Sequence, residues 1–208
     1  FDSRPPVVAS NSLRQHFMGW EIRTKTRISE TDIATLMDFR VDQSRGLYFI
    51  YALPFSDHHL FIESTMISKT LEDKQWYRDA ISHWLQRHGI EVDELLREEI
   101  GVIPMEEIPH TALTSASIGA ASGAVRLSSG YAFAAIQAQM TRLAGGIATG
   151  DYSVPKPTSS YLSAMDRVFN GVLLSRPDLA VDIFMSTGRA LNGDQFARFM
   201  LGSASLWE

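Results

Sequence analysis

Between residues 11 and 67 the apolar positions follow a strand pattern. Phe17-Met18-Gly19-Trp20-Glu21-Ile22-Arg23-Thr24 has strand composition with partial alternation, and Thr35 to Val41 is a second candidate. Gln43-Ser44-Arg45-Gly46 is a turn signal. Leu47 to Leu53 is apolar almost throughout, which predicts a strand buried on both faces. Pro54 to His59 breaks it, and His59 to Ile67 returns as its hairpin partner. Alternation places Phe61, Glu63 and Thr65 on one face and Leu60, Ile62 and Ser64 on the other.

Helical spacing then takes over. Trp76, Ala80, Ile81, Trp84 and Leu85 form one stripe, with Glu72-Asp73 where a helix dipole favours negative charge and Gly89 as a stop. Val92 to Glu98 reads as a short helix and Gly101 to Met105 as a further strand. The order β-β-β-β-α-β is that of an antiparallel sheet with a helix packed on it. Residues 114–146 are dominated by Ser, Ala and Gly and predict a strand, a Gly-rich loop and a helix from about Ala132 to Leu143, ending at Gly145-Gly146. Asp151 to Ser160 is a Pro/Ser-rich link. Beyond it, Leu162, Met165, Phe169, Val172 and Leu173 share a stripe. Leu179, Ile183 and Phe184 begin another after Pro177. Asn192-Gly193-Asp194 caps a last helix, with Phe196, Phe199 and Met200 inward.

Composition narrows the function classes. The 208 residues carry a net charge of −5, with no Lys/Arg cluster that would mark a nucleic-acid partner. Absence of cysteine excludes disulfides, zinc–thiolate sites and thiol catalysis, and fits a reducing compartment. No apolar run is long enough to span a bilayer. The chain starts at Phe1 without an initiator Met or a signal-peptide pattern, which predicts that it begins inside a longer protein.

Two places carry candidate chemistry. Glu63 is a carboxylate in an apolar strand, where Glu is depleted; it is either a solvated strand-face residue or a buried acid held protonated near neutral pH. The small-residue loop at 119–131 is either an anion-binding approach to a helix or a tight turn, since neither the Rossmann nor the P-loop spacing occurs. His16, His58, His59, His83, His88 and His110 are not spaced as metal ligands and read as surface or capping residues; Glu98-Glu99 and Glu106-Glu107 read as solvated pairs. Trp76 and Trp84 read as core. Ser128-Ser129 has no His-Asp partner at a recognisable spacing.

Several segments, in order, resemble the bacterial type of flavin-dependent lycopene β-cyclase. They are Asp2-Ser3-Arg4-Pro5, Gln15 to Glu21, Met37-Asp38-Phe39, Phe49 to Pro54, Phe61-Ile62-Glu63-Ser64-Thr65 and Gly101 to Met105. Ile118 to Phe133, Met165 to Phe169 and Ala197 to Met200 complete the series. The family's Phe-Leu-Glu-Glu-Thr has Ser64 as its fourth residue here, and its Thr-Gly-Tyr begins with Ser129.

The resemblance implies an α+β fold in two parts: an antiparallel-sheet substrate domain with packed helices, and the C-terminal part of an FAD-binding Rossmann-like domain. Residues 1–10 would end a flavin-domain element and 11–110 form the substrate domain. Residues 111–150 would supply a strand, Gly-rich loop and helix of the flavin domain, and 151–208 a C-terminal helical region. It implies acid/base cyclisation of the linear ends of lycopene or a related carotene, an isomerisation that uses reduced FAD, with NAD(P)H as reductant, without net redox change. Glu63 is the implied acid. Asp38, Phe49, Tyr51 and Phe61 are the implied pocket. Gly119, Ala120, Gly123, Ser128, Ser129, Gly130 and Tyr131 are the implied flavin contacts. Tyr48 and Tyr131 are candidates for cation–π support. An apolar substrate implies a cytoplasmic protein peripheral to a membrane; Phe169, Leu173, Phe196, Phe199 and Leu206-Trp207 are the candidates for that contact, with packing onto the flavin domain as the alternative reading. The family's dinucleotide fingerprint does not occur, so the chain is expected to be a fragment that binds flavin poorly or not at all by itself. A related flavin monooxygenase or reductase, and an inactive carotenoid- or lipid-binding piece, are the alternative readings.

Overall fold

The computed structural model describes residues 1–4, 11–108 and 116–203. Two compact units emerge, Arg14–Ile103 and the remainder of the chain, Phe1–Leu13 with Pro104–Glu208. Together they give an α+β architecture of one sheet and five helices among the described residues.

The first unit is built on strands β1 (Arg14–Thr24), β2 (Thr35–Asp38), β3 (Leu47–Ser56), β4 (His59–Ser68) and β5 (Val92–Pro104), in the order β2-β3-β4-β1-β5. β3 and β4 form the predicted hairpin, with Tyr51 opposite Glu63, and β4 pairs β1 with Glu63 opposite Gly19. β5 runs antiparallel to β1, since Gly101 lies against Phe17 and Glu99 beside Gly19. Helix α1 (Lys74–Arg87) covers one face. Asp73 caps it by accepting from the Trp76 N–H at 2.9 Å, and Gly89 ends it in the left-handed region at φ +65°. Tyr77, Ile81, Trp84 and Leu85 of α1 pack on Met18, Ile22, Ile50, Ile62 and Met66. Ile81 and all five strand residues are fully buried, and each contributes about 1.5–3 kcal/mol of apolar burial.

Two expectations need correction here. Val92 to Glu98 is not a helix but the first half of β5. Val92, Leu95 and Leu96 have helical spacing, yet pairing along β1 overrides it, and the Glu-rich composition suits an edge strand. His16 is not a surface residue but 1% exposed under α1, with its ring nitrogens bonded to the Tyr77 hydroxyl and Ser68 Oγ. His110 lies outside the described residues.

In the second unit, Asp2 and Ser117 form a parallel bridge. A 3-10 turn at Gly119–Ser122 follows, then α2 (Phe133–Ala148), α3 (Ser160–Ser175), α4 (Ala180–Ala190) and α5 (Gly193–Leu201). Helix α2 runs through Gly145-Gly146 rather than stopping there. The left-handed residue that ends it is Gly150, and the Gly146 carbonyl accepts from the N–H groups of Thr149 and Asp151. Asn192 caps α5 in a full capping box with Gln195. Buried polar side chains tie this unit together. Arg126 donates to both Asp166 oxygens at 2.9 and 3.0 Å and to the Phe199 carbonyl, while Asn170 donates to the carbonyls of Met105 and Leu127.

Candidate active site

Alternation along β4 directs Glu63 to the sheet face turned away from α1, together with Phe61 and Thr65. Phe49 and Tyr51 of β3 share that face, opposite Thr65 and Glu63, and Phe17 and Gly19 of β1 complete it. Tyr51 and Phe61 meet edge to face at 6.5 Å. Thr65 Oγ1 donates to Glu63 Oε1 at 2.5 Å.

This setting disfavours the charged carboxylate. Burial among apolar neighbours pushes the Glu63 carboxyl up to about 7; the nearby Glu99 charge adds to the rise and the Thr65 hydrogen bond opposes it. A carboxyl of this kind is both proton donor and acceptor near neutrality. Tyr51 is pushed up as well, by burial and by the neighbouring Glu63.

Two glycines shape this face. A Cβ at Gly19 would stand 2.7 Å from the Phe61 ring and 3.2 Å from Glu99 Cγ; one at Gly101 would stand 2.4 Å from the Phe17 ring. Both rings therefore lie directly over strand backbone. Beyond Gly19 a charged row follows. Arg97 bridges Glu21 at 3.3 Å and Glu99 at 3.4 Å, and Glu21 accepts from His59 at 2.9 Å.

The structure brings Phe49, Tyr51 and Phe61 to Glu63 but not Asp38. Asp38 pairs with Ile50, one residue out of step with Tyr51, so it stands on the α1 face. There it accepts from Arg40 at 2.8 and 2.9 Å and from Trp84 Nε1 at 3.0 Å. Those donors, Arg40 first, hold its carboxyl well below the usual range, so it stays ionised and structural. Tyr48 is on the α1 face too, with its ring 4.9 Å from that of Trp76.

The predicted flavin contacts divide into two turns. In the first, Gly119 and Gly123 adopt left-handed backbone at φ +56° and +82°. Ala120, Ser122 and Gly123 form a small-residue wall of a cleft of about 410 Å³, whose other walls carry Lys156, Arg167 and the carboxylates Glu106, Glu107 and Asp166, with Arg167 paired to Glu107. Fully buried Gln139 anchors this turn, accepting from the Gly119 N–H at 2.9 Å and donating to Ser122 Oγ and the Pro155 carbonyl. A cleft of this volume with a side-chain-poor wall fits close approach of a flat group. The second turn does not face the cleft. Ser128 donates to Asp166, the Gly130 and Ser129 N–H groups donate to the Arg126 carbonyl, and the Tyr131 carbonyl accepts from the Arg126 N–H. The residues fit a flavin at 119–123, and at 128–131 they serve the buried Arg126–Asp166 pair.

Sequence reasoning missed Glu99, the residues Glu21 and Arg97 beside it, and the Arg126–Asp166 pair. Gly19 and Glu21 lie in the strand segment Phe17 to Thr24, two apart and therefore on one face. The Arg126–Asp166 pair spans 40 residues of sequence and left no local signal.

Comparison with known proteins places the chain in a family. A family model described as lycopene cyclase protein matches residues 1–203, and the chain belongs to that family. A lycopene beta-cyclase of Pantoea ananas is 38% identical over 71 residues, 34% of this chain and 19% of that protein. A chloroplastic neoxanthin synthase of Solanum tuberosum is 32% identical over 135 residues, 64% of this chain and 27% of that protein. Each match thus spans about a fifth to a quarter of the relative's length. A geranylgeranyl bacteriochlorophyll reductase-like protein of Thermoplasma acidophilum is similar over 82% of this chain and 41% of its own, with a TM-score of 0.49 and 10% identity.

Proposed function

We propose that the Glu63 face of the sheet holds the end of a linear carotene, lycopene or a close relative, and closes it into a ring by acid/base catalysis. The observation that carries this reading is a carboxyl raised to about 7 among Tyr51, Phe61 and Phe49, in a chain of the lycopene cyclase family. Glu63 donates its proton to the terminal carbon–carbon double bond, leaving a tertiary cation. An internal double bond attacks that cation, forms one carbon–carbon bond and moves the positive charge into the new ring. Loss of a neighbouring proton to the Glu63 carboxylate sets the ring double bond and restores the acid. Atoms and electrons balance, so the net reaction is an isomerisation. Phe61 and Phe49 keep water from the cation, and the Tyr51 ring supports it by a cation–π contact.

Ala120 and Gly123 would face FAD in the small-residue cleft, with Gly119 shaping the turn behind them. When bound in its NAD(P)H-reduced form, FAD supplies an electron-rich ring system suited to stabilising positive charge. The substrate is insoluble, so it is taken from a membrane. Among the described residues no helix is long and apolar enough to cross one. Contact instead falls to the exposed Tyr161, Met165 and Val168 of α3, which border an apolar cleft of about 420 Å³. Leu173, expected at this surface, is buried, and Phe169 packs on Phe184. Leu206 and Trp207 lie outside the described residues.

The test is pigment analysis in bacteria that accumulate lycopene, using the full-length protein that carries this chain. Wild type converts the red linear carotene to cyclic products. Glu63→Gln lowers the yield by about a hundredfold or more, the share that general acid–base catalysis supplies. Undiminished cyclisation by the Gln variant overturns the assignment.

A further inference from the structure

Glu63, Gly19 and Glu99 lie side by side on three adjacent strands, β4, β1 and β5, and on one face. Any side chain at position 19 would stand between the two carboxylates. With glycine there, the space above the backbone is taken from one side by the Phe61 ring and from the other by the Glu99 chain, whose Cγ reaches within 3.2 Å of where a Cβ would be. Apolar Phe61 keeps water out of the gap and lowers the local dielectric response, so charge at Glu99 is felt at Glu63.

We infer that Glu99 is a positioning residue for Glu63: acting across Gly19, where the Phe61 ring fills the space a side chain would take, it holds the acid in its proton-bearing form. This inference rests on the cyclase reading for its use in catalysis. The electrostatic link itself does not.

The groups on this face define the balance. From β3 comes Tyr51, neutral at the pH of interest because burial and Glu63 push it up. From β4 come Thr65, which donates to the carboxylate, and His59, which is bound to Glu21. From β1 comes Glu21. From β5 come Arg97 and Glu99, and Arg97 divides its positive charge between Glu21 and Glu99. Glu99 is the charged neighbour that acts on Glu63, in the direction expected of like charges in close quarters. Arg97 therefore works as a moderator: by partly neutralising Glu99 it limits how far Glu63 is driven towards the protonated state.

The experiment follows the Glu63 carboxyl directly, in the full-length protein. The infrared band of the protonated carboxyl is assigned by its loss in Glu63→Gln and then titrated. Glu99→Gln should move the midpoint to lower pH by about one unit, Glu99→Asp should leave it near wild type, and Arg97→Gln should move it to higher pH. Cyclisation by Glu99→Gln should match wild type at pH 5 and fall by up to about tenfold at pH 8, where too little of the acid remains protonated. A merely structural role would lower the rate equally at both pH values. An unchanged midpoint in Glu99→Gln, or a loss of equal size at pH 5 and pH 8, overturns the inference. If Glu63→Gln still cyclises, the catalytic reading fails while the infrared titration still decides whether Glu99 governs Glu63.

Discussion

The two faces of the sheet are made by alternate residues of the same strands, yet they treat buried polar groups in opposite ways. On the α1 face His16 and Asp38 each have their partners. His16 sits between Tyr77 and Ser68, and Asp38 between Arg40 and Trp84. Burial drives His16 down to about 4, with the Arg14 charge adding to it, and Arg40 holds Asp38 low. Each group is thereby fixed in one charge state across the neutral range. On the other face Glu63 has the Thr65 hydroxyl, a facing glycine and a neighbouring like charge, and it titrates near 7. The same desolvation produces a fixed scaffold where partners are complete and a usable proton where they are not.

The comparison breaks most visibly in activity. Glu63→Gln should abolish cyclisation, while His16→Gln, one strand over and on the other face, should leave the pigment yield of the folded protein intact.

Stability against pH sharpens it next. His16 binds a proton in the unfolded chain below 6.5 but in the folded protein only below about 4, so its contribution is present above 6.5 and is lost as pH falls from 6.5 to 4. Glu63 has the reverse sign. The folded form keeps its proton up to about 7 and the unfolded form only up to 4.5, so stability is lost as pH rises from 4.5 to 7. Each effect is on the order of 3 kcal/mol, and between pH 4.5 and 6.5 they oppose one another. Denaturant melts should therefore show a flat profile for wild type in that window, a rise with pH for Glu63→Gln and a fall with pH for His16→Gln. Parallel profiles for all three would show that the faces do not differ as described.

Asp38→Ala should lower stability by about 2 kcal/mol, chiefly because the buried Trp84 N–H loses its acceptor; a shift in denaturation midpoint at unchanged slope measures it. The smallest effect is that of Thr65→Val. Removing the donor to Glu63 should raise the acid's midpoint by about one unit, at least as far as Glu99→Gln lowers it, read from the alkaline limb of the cyclisation pH profile.

Much of this sheet was legible from residues 47–67, where apolar runs and alternation gave the hairpin and put Glu63 and Phe61 on one face. Asp38 was misplaced because which face a short strand presents depends on register, and β2 contains a register shift between Thr35 and Asp38. The second half of β5 was legible at Gly101 to Met105, and its first half, Val92 to Glu98, was hidden for a different reason. Val92, Leu95 and Leu96 in that half are spaced as on a helix and stay exposed, so nothing but the partner β1 marks it as a strand. At 119–131 the small residues were visible. What each backbone N–H binds was not, because Gln139 and Asp166 arrive from distant helices.

The hydrogen bond from Met105 N–H to the Leu13 carbonyl, 3.1 Å long, joins the points where the chain departs into Arg14–Ile103 and returns from it. A stretch whose two ends meet is a cassette. It can be exchanged between relatives at Leu13 and Met105 without rethreading the rest of the chain. Glu63, its aromatic neighbours and Glu99 would all travel together in such an exchange, while the turn at Gly119–Gly123 would stay behind.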